Sequence, residues 1–394
     1  MKAAILAAGR GTRMRGLCSV TPKPMLPLAN RPILSLIFSR LKQMGVDEVA
    51  LVIGFEGNKL EQLIGDGHQY GMDVTYIWQT EQLGTAHAAL LCEEFVAGEP
   101  FVLIFGDILT RNDNYAAMAE QFRRDDVEAV LTVFPVEDAS NGAAVDIEDG
   151  WVRRIVEKPP PGTIPNAYNN AGIFIWPADV FDLIRDLELS PRGEYEFTDG
   201  IVRFLEQGRP LAAFELLGYW ENITDPETCI RMNHNLLLEV LPPGADLADP
   251  QAKVAGSAYI TQCRLAAGAV VGEGCKLDGS TLDENCRLGD NVSARCAEIG
   301  PGAAIGEGCR LGSHVSIGEG AVIAPGCTIG PNASVGPGCV IGEGSTITST
   351  IVLDGSTVGA GSSLTHAMLG YRVEIEAGRT LSGTPEEAVE VLNE

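Results

Sequence analysis

AEIGPGAAIGEGCRLGSHVSIGEGAVIAPGCTIGPNASVGPGCVIGEGSTIT, residues 297–348, decides the fold of the second half of the chain. Aliphatic residues recur every six positions at Ile299, Ile305, Leu311, Ile317, Ile323, Ile329, Val335, Ile341 and Ile347. Glycine follows in seven of these nine cases, which favours a turn after each. Two positions before each aliphatic stands a mostly small residue: Ala297, Ala303, Cys309, Val315, Ala321, Cys327, Ala333, Cys339 or Ser345. A strand puts residues two apart on one face. A large aliphatic and a small residue repeated every six therefore predict a parallel β-helix of hexapeptides. Cys263, Cys275 and Cys286 hold the same small slot before Leu265, Leu277 and Leu288, so they read as packed core rather than metal ligands. The repeat is expected over 253–376. The last residues, 377–394, read as a tail whose acidic TPEEAVEVLNE forms a short helix. Ala388, Val389, Val391 and Leu392 would then cover the end of the last coil.

Upstream the periodicity changes. AAILAA, EVALVIG, VTYIWQ, FVLIFGD and EAVLTVFPV are strand-like runs, separated by PILSLIFSRLKQMG, NKLEQLIGDG, TAHAALLCEEF and NYAAMAEQFRRD with helical spacing. Such alternation predicts an α/β domain over 1–241 with a parallel sheet, and ligands in these sheets bind beyond the strands' carboxyl ends. LPPGADLADP breaks the pattern with three prolines and predicts a linker over 242–252. The loop LAAGRGTRM, residues 6–14, follows the first strand and looks built for phosphates. It lacks the Gly-Lys-Ser/Thr of a Walker loop, and Met14 stands where a dinucleotide fingerprint needs its third glycine. Gly54 and Phe55, ending the second strand without an acidic residue, also argue against a nicotinamide site.

The 394 residues carry a net charge of −25, which excludes nucleic acid or an anionic membrane as the main partner. Yet no Asp or Glu precedes Asp47, while Lys2, Arg10, Arg13, Arg15, Lys23, Arg31, Arg40 and Lys42 crowd that opening stretch. A local cationic pocket for a polyanion is one reading, and a solvated basic face is the plain alternative. No apolar run approaches the ~18 residues of a membrane helix. The ten cysteines form no CxxC pair, so reduced thiols and a cytoplasmic setting are expected.

LAAGRGTRM, TPKPMLPL at 21–28, QTEQLGTAHA at 79–88, FGD at 105–107, EKP at 157–159 and NNAGIFIW at 169–176 resemble, in order, the motifs of sugar-1-phosphate nucleotidylyltransferases. With a hexapeptide repeat behind them, the chain is similar to the N-acetylglucosamine-1-phosphate uridylyltransferases and the archaeal two-domain enzymes. The resemblance implies a Rossmann-like nucleotidyltransferase domain followed by a left-handed parallel β-helix. It also implies transfer of a nucleotidyl group from a nucleoside triphosphate, UTP favoured, to GlcNAc-1-phosphate or glucose-1-phosphate, releasing pyrophosphate. Mannose-1-phosphate guanylyl or glucose-1-phosphate thymidylyl transfer is the alternative, as is a nucleotide-sugar-sensing subunit without turnover.

The site residues implied by the resemblance are as follows. Leu6, Ala7, Ala8, Gly9, Gly11 and Thr12 would cradle the triphosphate, with Arg13 and Lys23 stabilising the departing pyrophosphate. Gln79, Gly84 and Thr85 would read the base, with Gln79 able to donate and accept. Gly142, Glu157, Lys158 and Asn170 would hold the sugar phosphate, with Tyr195 and Asp199 as further sugar-side residues. Asp107 would bind Mg²⁺, whose preference is for oxygen ligands. Asn222, in GYWENITDPE, stands where most relatives carry the second metal-binding Asp, and Asp225 is the substitute nearby. His87 is given packing and no chemistry. The β-helix is expected to be structural, making a homo-oligomer, a trimer by preference, rather than an acetyltransferase.

Overall fold

The first strand, Lys2–Leu6 (β1), is fully apolar at its centre and pairs in parallel on both sides, as a doubly buried strand should. In the computed structural model, which describes residues 1–9, 11, 14, 17–19, 21–162, 164, 168–239, 244 and 246–393, it lies in a nine-stranded sheet. The other strands are Glu48–Ile53 (β2), Asp73–Trp78 (β3), Phe101–Phe105 (β4), Ala129–Pro135 (β5), Ala143–Glu148 (β6), Trp151–Glu157 (β7), Tyr168–Trp176 (β8) and Leu211–Glu215 (β9). Their order is β3-β2-β1-β4-β8-β5-β9-β7-β6.

The sheet is mixed rather than parallel throughout. β3, β2, β1 and β4 are parallel neighbours, whereas β8 runs antiparallel to both β4 and β5. The hairpin β6–β7 turns at Asp149-Gly150, both with positive φ, the signature of a two-residue hairpin turn. Trp176, Phe174, Phe197 and Phe204 interlock in the core with ring centroids 5.1–5.8 Å apart.

The chain forms two compact units. One comprises Met1–Thr12, Cys18–Leu26 and Ile33–Ile223; the other comprises Arg13–Leu17, Pro27–Pro32 and Thr224–Glu394. The second unit holds the β-helix. Ile305 pairs with Ile323 and Ile341 with Val358, so one coil takes 18 or 17 residues, three hexapeptides or slightly fewer. The inward aliphatics and the small residues before them are buried. Each coil turns three corners, and left-handed backbone marks them in columns: Gln262, Gly279, Cys296, His314, Asn332, Ser349 and His366 form one. Glycine, Asn285 and Arg372 occupy another, from Gly268 onward.

The cysteines of the small slot are core, as that slot predicts. No disulfide joins them, and burial pushes the Cys286 thiol up to about 12. The interior slot also carries a hydrogen bond. Cys275, Cys309 and Cys327 donate to the carbonyls of Gly289, Ala324 and Gly342, each at 3.1 Å. Ser345 and Ser356 donate alike to Gly359 and Gly370. Thiol and hydroxyl alternate in this slot because both are small donors.

The C-terminal tail is a strand where a helix is expected. Val389–Val391 pairs in parallel with Ala367–Leu369 and packs on the β-helix core. The open edge of the last coil satisfies its backbone groups, which outweighs the helical preference of EEAVEVL. No described helix is long and apolar enough to cross a membrane.

Candidate active site

The carboxyl ends of β1 and β4 are pressed together by two residues without side-chain bulk. A Cβ on Gly106 would lie 3.0 Å from the Ala7 Cβ and 3.1 Å from the Leu6 carbonyl. The Gly106 N–H donates to that carbonyl at 2.9 Å, and Ala7 donates to Val52. The loop after β1 is thereby braced, and Asp107 emerges beside it. Ala8 is tied in addition by Gln82, whose amide donates to the Ala8 carbonyl at 2.8 Å. Among the described residues nothing lies within 4 Å of a Cβ placed on Gly9. Gly11 has φ +60, and a Cβ there would sit 3.5 Å from Lys23 Cβ, so the turn that needs glycine also brings the loop to Lys23. Arg13 and Thr12 lie outside the described residues, as do Arg10 and Arg15.

Lys23 starts a short 3-10 turn entered through Pro22 and Pro24. Its ammonium donates to Asp107 Oδ2 at 2.6 Å. The lysine side chain is 12% exposed and the aspartate 32%, so the ion pair is half withdrawn from solvent at the strand ends. Two groups assigned separately, one to phosphate and one to metal, thus touch. Three other described residues of the opening basic stretch are engaged elsewhere, Lys2 donating to the Phe95 carbonyl. Arg40 is buried and donates to the Thr110 carbonyl, and Lys42 pairs with Asp47.

Asn222 reaches the same place from the far end of the chain. Trp220–Asn222 pairs antiparallel with Ile108–Thr110, setting Asn222 opposite Ile108. The next N–H, of Ile223, donates to the Asp107 carbonyl at 2.8 Å. Trp220 fixes this strand, stacking on Phe134 at 3.8 Å and donating to the Ala171 carbonyl. The Asn222 Oδ1 is buried with no hydrogen-bond partner among the described residues. Such an oxygen costs about 1–3 kcal/mol unless something binds it. A hard cation suits such an oxygen, which makes Asn222, paired beside Ile108 and next to Asp107, a candidate Mg²⁺ ligand. Asp225 has another task. It caps the helix Pro226–Leu238, with Oδ1 accepting from the Thr228 N–H and Oδ2 from the Thr224 hydroxyl.

On the other flank, Gly84 has φ +113, and a Cβ there would meet the Tyr195 backbone at 2.5 Å. Only glycine permits this approach. Thr85 Oγ1 accepts from the Phe197 N–H at 3.0 Å, so its hydroxyl braces 195–197. Gln79 is buried at the end of β3, and its Nε2 contacts both the Gly84 carbonyl (3.2 Å) and His87 Nδ1 (3.1 Å).

The sugar-side residues divide. Glu157 and Lys158 line a cavity of about 630 Å³ with Arg192, Glu196, Asp199 and Arg203. Arg192 reaches Glu157 at 3.4 Å and Glu196 at 3.3 Å, and burial raises the carboxyls of Glu196 and Asp199 above their usual range. Gly142 joins through its carbonyl, which accepts from the Lys158 N–H. Asn170 spends Oδ1 on the Gly172 N–H. It is Asn169 that packs against Gly142, with its own Oδ1 buried and unpartnered among the described residues. Arg192 and Glu196 stand outside the motifs quoted above, in the RGEYEF run that holds Tyr195, whereas Asn169 opens NNAGIFIW, where the resemblance assigns only its neighbour Asn170.

Residues 2–238 match the family model described as Nucleotidyl transferase, and residues 312–391 match that of the GMPPB C-terminal domain. The low-salt glycan biosynthesis nucleotidyltransferase Agl11 of Haloferax volcanii is 34% identical over 239 residues, 60% of this chain and 66% of that protein. The UTP–glucose-1-phosphate uridylyltransferase AglF of the same organism is 32% identical over 232 residues, 58% of this chain and 93% of that protein. Among solved structures, a putative glucose-1-phosphate thymidylyltransferase from Bacillus anthracis in complex with a sucrose superposes with TM-score 0.54 at 30% identity. That likeness covers 59% of this chain and 94% of that one.

Proposed function

The chain belongs to the nucleotidyl transferase family, and we propose that it joins a nucleoside triphosphate, UTP favoured, to GlcNAc-1-phosphate or glucose-1-phosphate. The observation that carries this reading is the Lys23–Asp107 ion pair at the strand ends, next to the strand whose Asn222 Oδ1 is buried and unpartnered among the described residues. The backbone at Gly9 and the turn at Gly11 cradle the β- and γ-phosphates, with Arg13 and Thr12 completing the loop. A sugar-phosphate oxygen attacks the α-phosphorus. One P–O bond forms, the α–β bond breaks, and its electron pair leaves with pyrophosphate. No protein nucleophile is needed, so rate comes from positioning and charge. Mg²⁺ held by Asp107 and Asn222 supplies charge neutralisation at phosphate oxygens when bound. Lys23 then swings its ammonium from Asp107 to the departing phosphates. Glu157, Lys158 and Gly142 hold the sugar phosphate, with Asn169 and Asn170 behind them.

Pyrophosphate release from five nucleoside triphosphates against common sugar-1-phosphates, with Mg²⁺, tests the reading. UTP with one of the two named sugars should turn over fastest. No nucleotide sugar from any pair would refute it. The likeness to a thymidylyltransferase structure favours a second reading, dTTP with glucose-1-phosphate, which the same screen resolves.

Asn222→Asp adds a charge to a neutral ligand. It should tighten Mg²⁺ binding several-fold with modest change in turnover, and a metal titration unchanged by the swap would remove Asn222 from the site. The β-helix we assign to assembly, a homotrimer by preference. Sedimentation giving a monomer at micromolar concentration would contradict that.

A further inference from the structure

The Gln79 amide is held by two partners, and the chemistry of one has a consequence for the base. Gln79 Nε2 has two hydrogens and no lone pair to offer. One hydrogen goes to the Gly84 carbonyl at 3.2 Å. The other points at His87 Nδ1, 3.1 Å away. An amide nitrogen cannot accept, so Nδ1 must, and the imidazole must be neutral with its proton on Nε2. With both hydrogens spent, the amide cannot flip without placing Oε1 against the Gly84 carbonyl, oxygen facing oxygen. Gln79 is buried, so water does not compensate such a flip.

We infer that His87 is a positioning residue that locks Gln79 with Oε1 alone turned to the nucleobase, selecting bases that present a ring N–H. The inference rests on the proposed function, which places the base at Gln79. Uracil and thymine present N3–H, and guanine presents N1–H. Cytosine and adenine present a bare ring nitrogen, which meets Oε1 as acceptor against acceptor. A site that leaves buried acceptors unpaired rejects the wrong ligand more strongly than one that merely loses a contact. The selection is thus set one step behind the residue that reads the base. The glycine at 84, required by the close Tyr195 backbone, supplies the second half of the lock.

The test uses the whole protein with His87→Phe and His87→Gln. Phenylalanine keeps a ring but cannot accept; glutamine can accept through its side-chain oxygen. His87→Phe should raise the UTP KM about tenfold while leaving kcat within about threefold, and shrink the UTP-over-CTP ratio of kcat/KM about tenfold. His87→Gln should restore most of that ratio. Wild-type KM and ratio in a folded His87→Phe would overturn the inference. Nitrogen-15 NMR of the imidazole decides independently of any variant's folding. A neutral ring protonated at Nε2 supports the lock, and one protonated at Nδ1 refutes it. If the wild-type protein turns over no nucleoside triphosphate, the proposed function fails, whereas the tautomer still tells whether His87 holds Gln79 as described.

Discussion

Asp107→Ala should cut Mg²⁺-dependent turnover by roughly 10³-fold or more while the protein keeps its fold, because a ligand of this kind contributes several kcal/mol of transition-state charge stabilisation. The carboxylate stands at a strand end, 32% exposed, and the backbone contacts that order the region do not use it. Ile223 donates to the Asp107 carbonyl, and Gly106 donates to Leu6. Circular dichroism and melting should therefore match the wild type closely. A variant that unfolds would make Asp107 a structural residue, and one that stays active would move the metal elsewhere.

Lys23→Ala should lower kcat/KM by about 10²-fold or more, as removal of a preorganised cation from a developing phosphate charge does. It should also do something that simple damage would not. In the free protein the Lys23 ammonium sits 2.6 Å from Asp107 Oδ2, where it competes with any cation. Its removal leaves Asp107 uncompensated, so Mg²⁺ should bind the nucleotide-free variant more tightly than the wild type. Calorimetry checks the sign. Weaker metal binding would mean that Lys23 supports the carboxylate rather than competing for it.

The β-helix was legible because its period brings large and small residues to the same interior face in every coil. Ile299, Ile317 and Val335 stack in register as the repeat demands. The α/β alternation was legible too, but strand direction was not. A run such as NNAGIFIW looks equally apolar whichever way it enters the sheet, and only pairing with β4 and β5 shows it antiparallel. The Asp-Gly of EDGW carries the local signal for positive φ at both positions, a hairpin turn that the strand-and-helix reading passed over. The tail misled because helix propensity is local, whereas the unpaired edge it joins belongs to Ala367–Leu369.

In the site, glycine positions were readable because their constraint is backbone, and side-chain pairings were not. Lys23 meets Asp107 across 84 residues, and no spacing rule predicts that contact. The capping role of Asp225 was readable in the sequence. Asp-Pro-Glu-Thr is an N-cap pattern with proline at the first helical position, and the residue serves that cap. His87 shows the opposite limit. Its contact with Gln79 spans only eight residues, yet it needs the turn at Gly84 to close.

The columns of left-handed corners make the length of the β-helix a quantised property of the gene. Ala269 and Cys286 hold the same buried small slot, and Gly268 and Asn285 the same left-handed corner, one coil apart. Excising residues 269–285 would join equivalent points and return every later side chain to its own face, because rung would simply rest on rung. Losing half a coil instead would turn corners into strands and expose the aliphatic interior. Insertions and deletions in this half of the protein are therefore tolerated in whole coils, so length variation among descendants of such a sequence should come in steps rather than residue by residue.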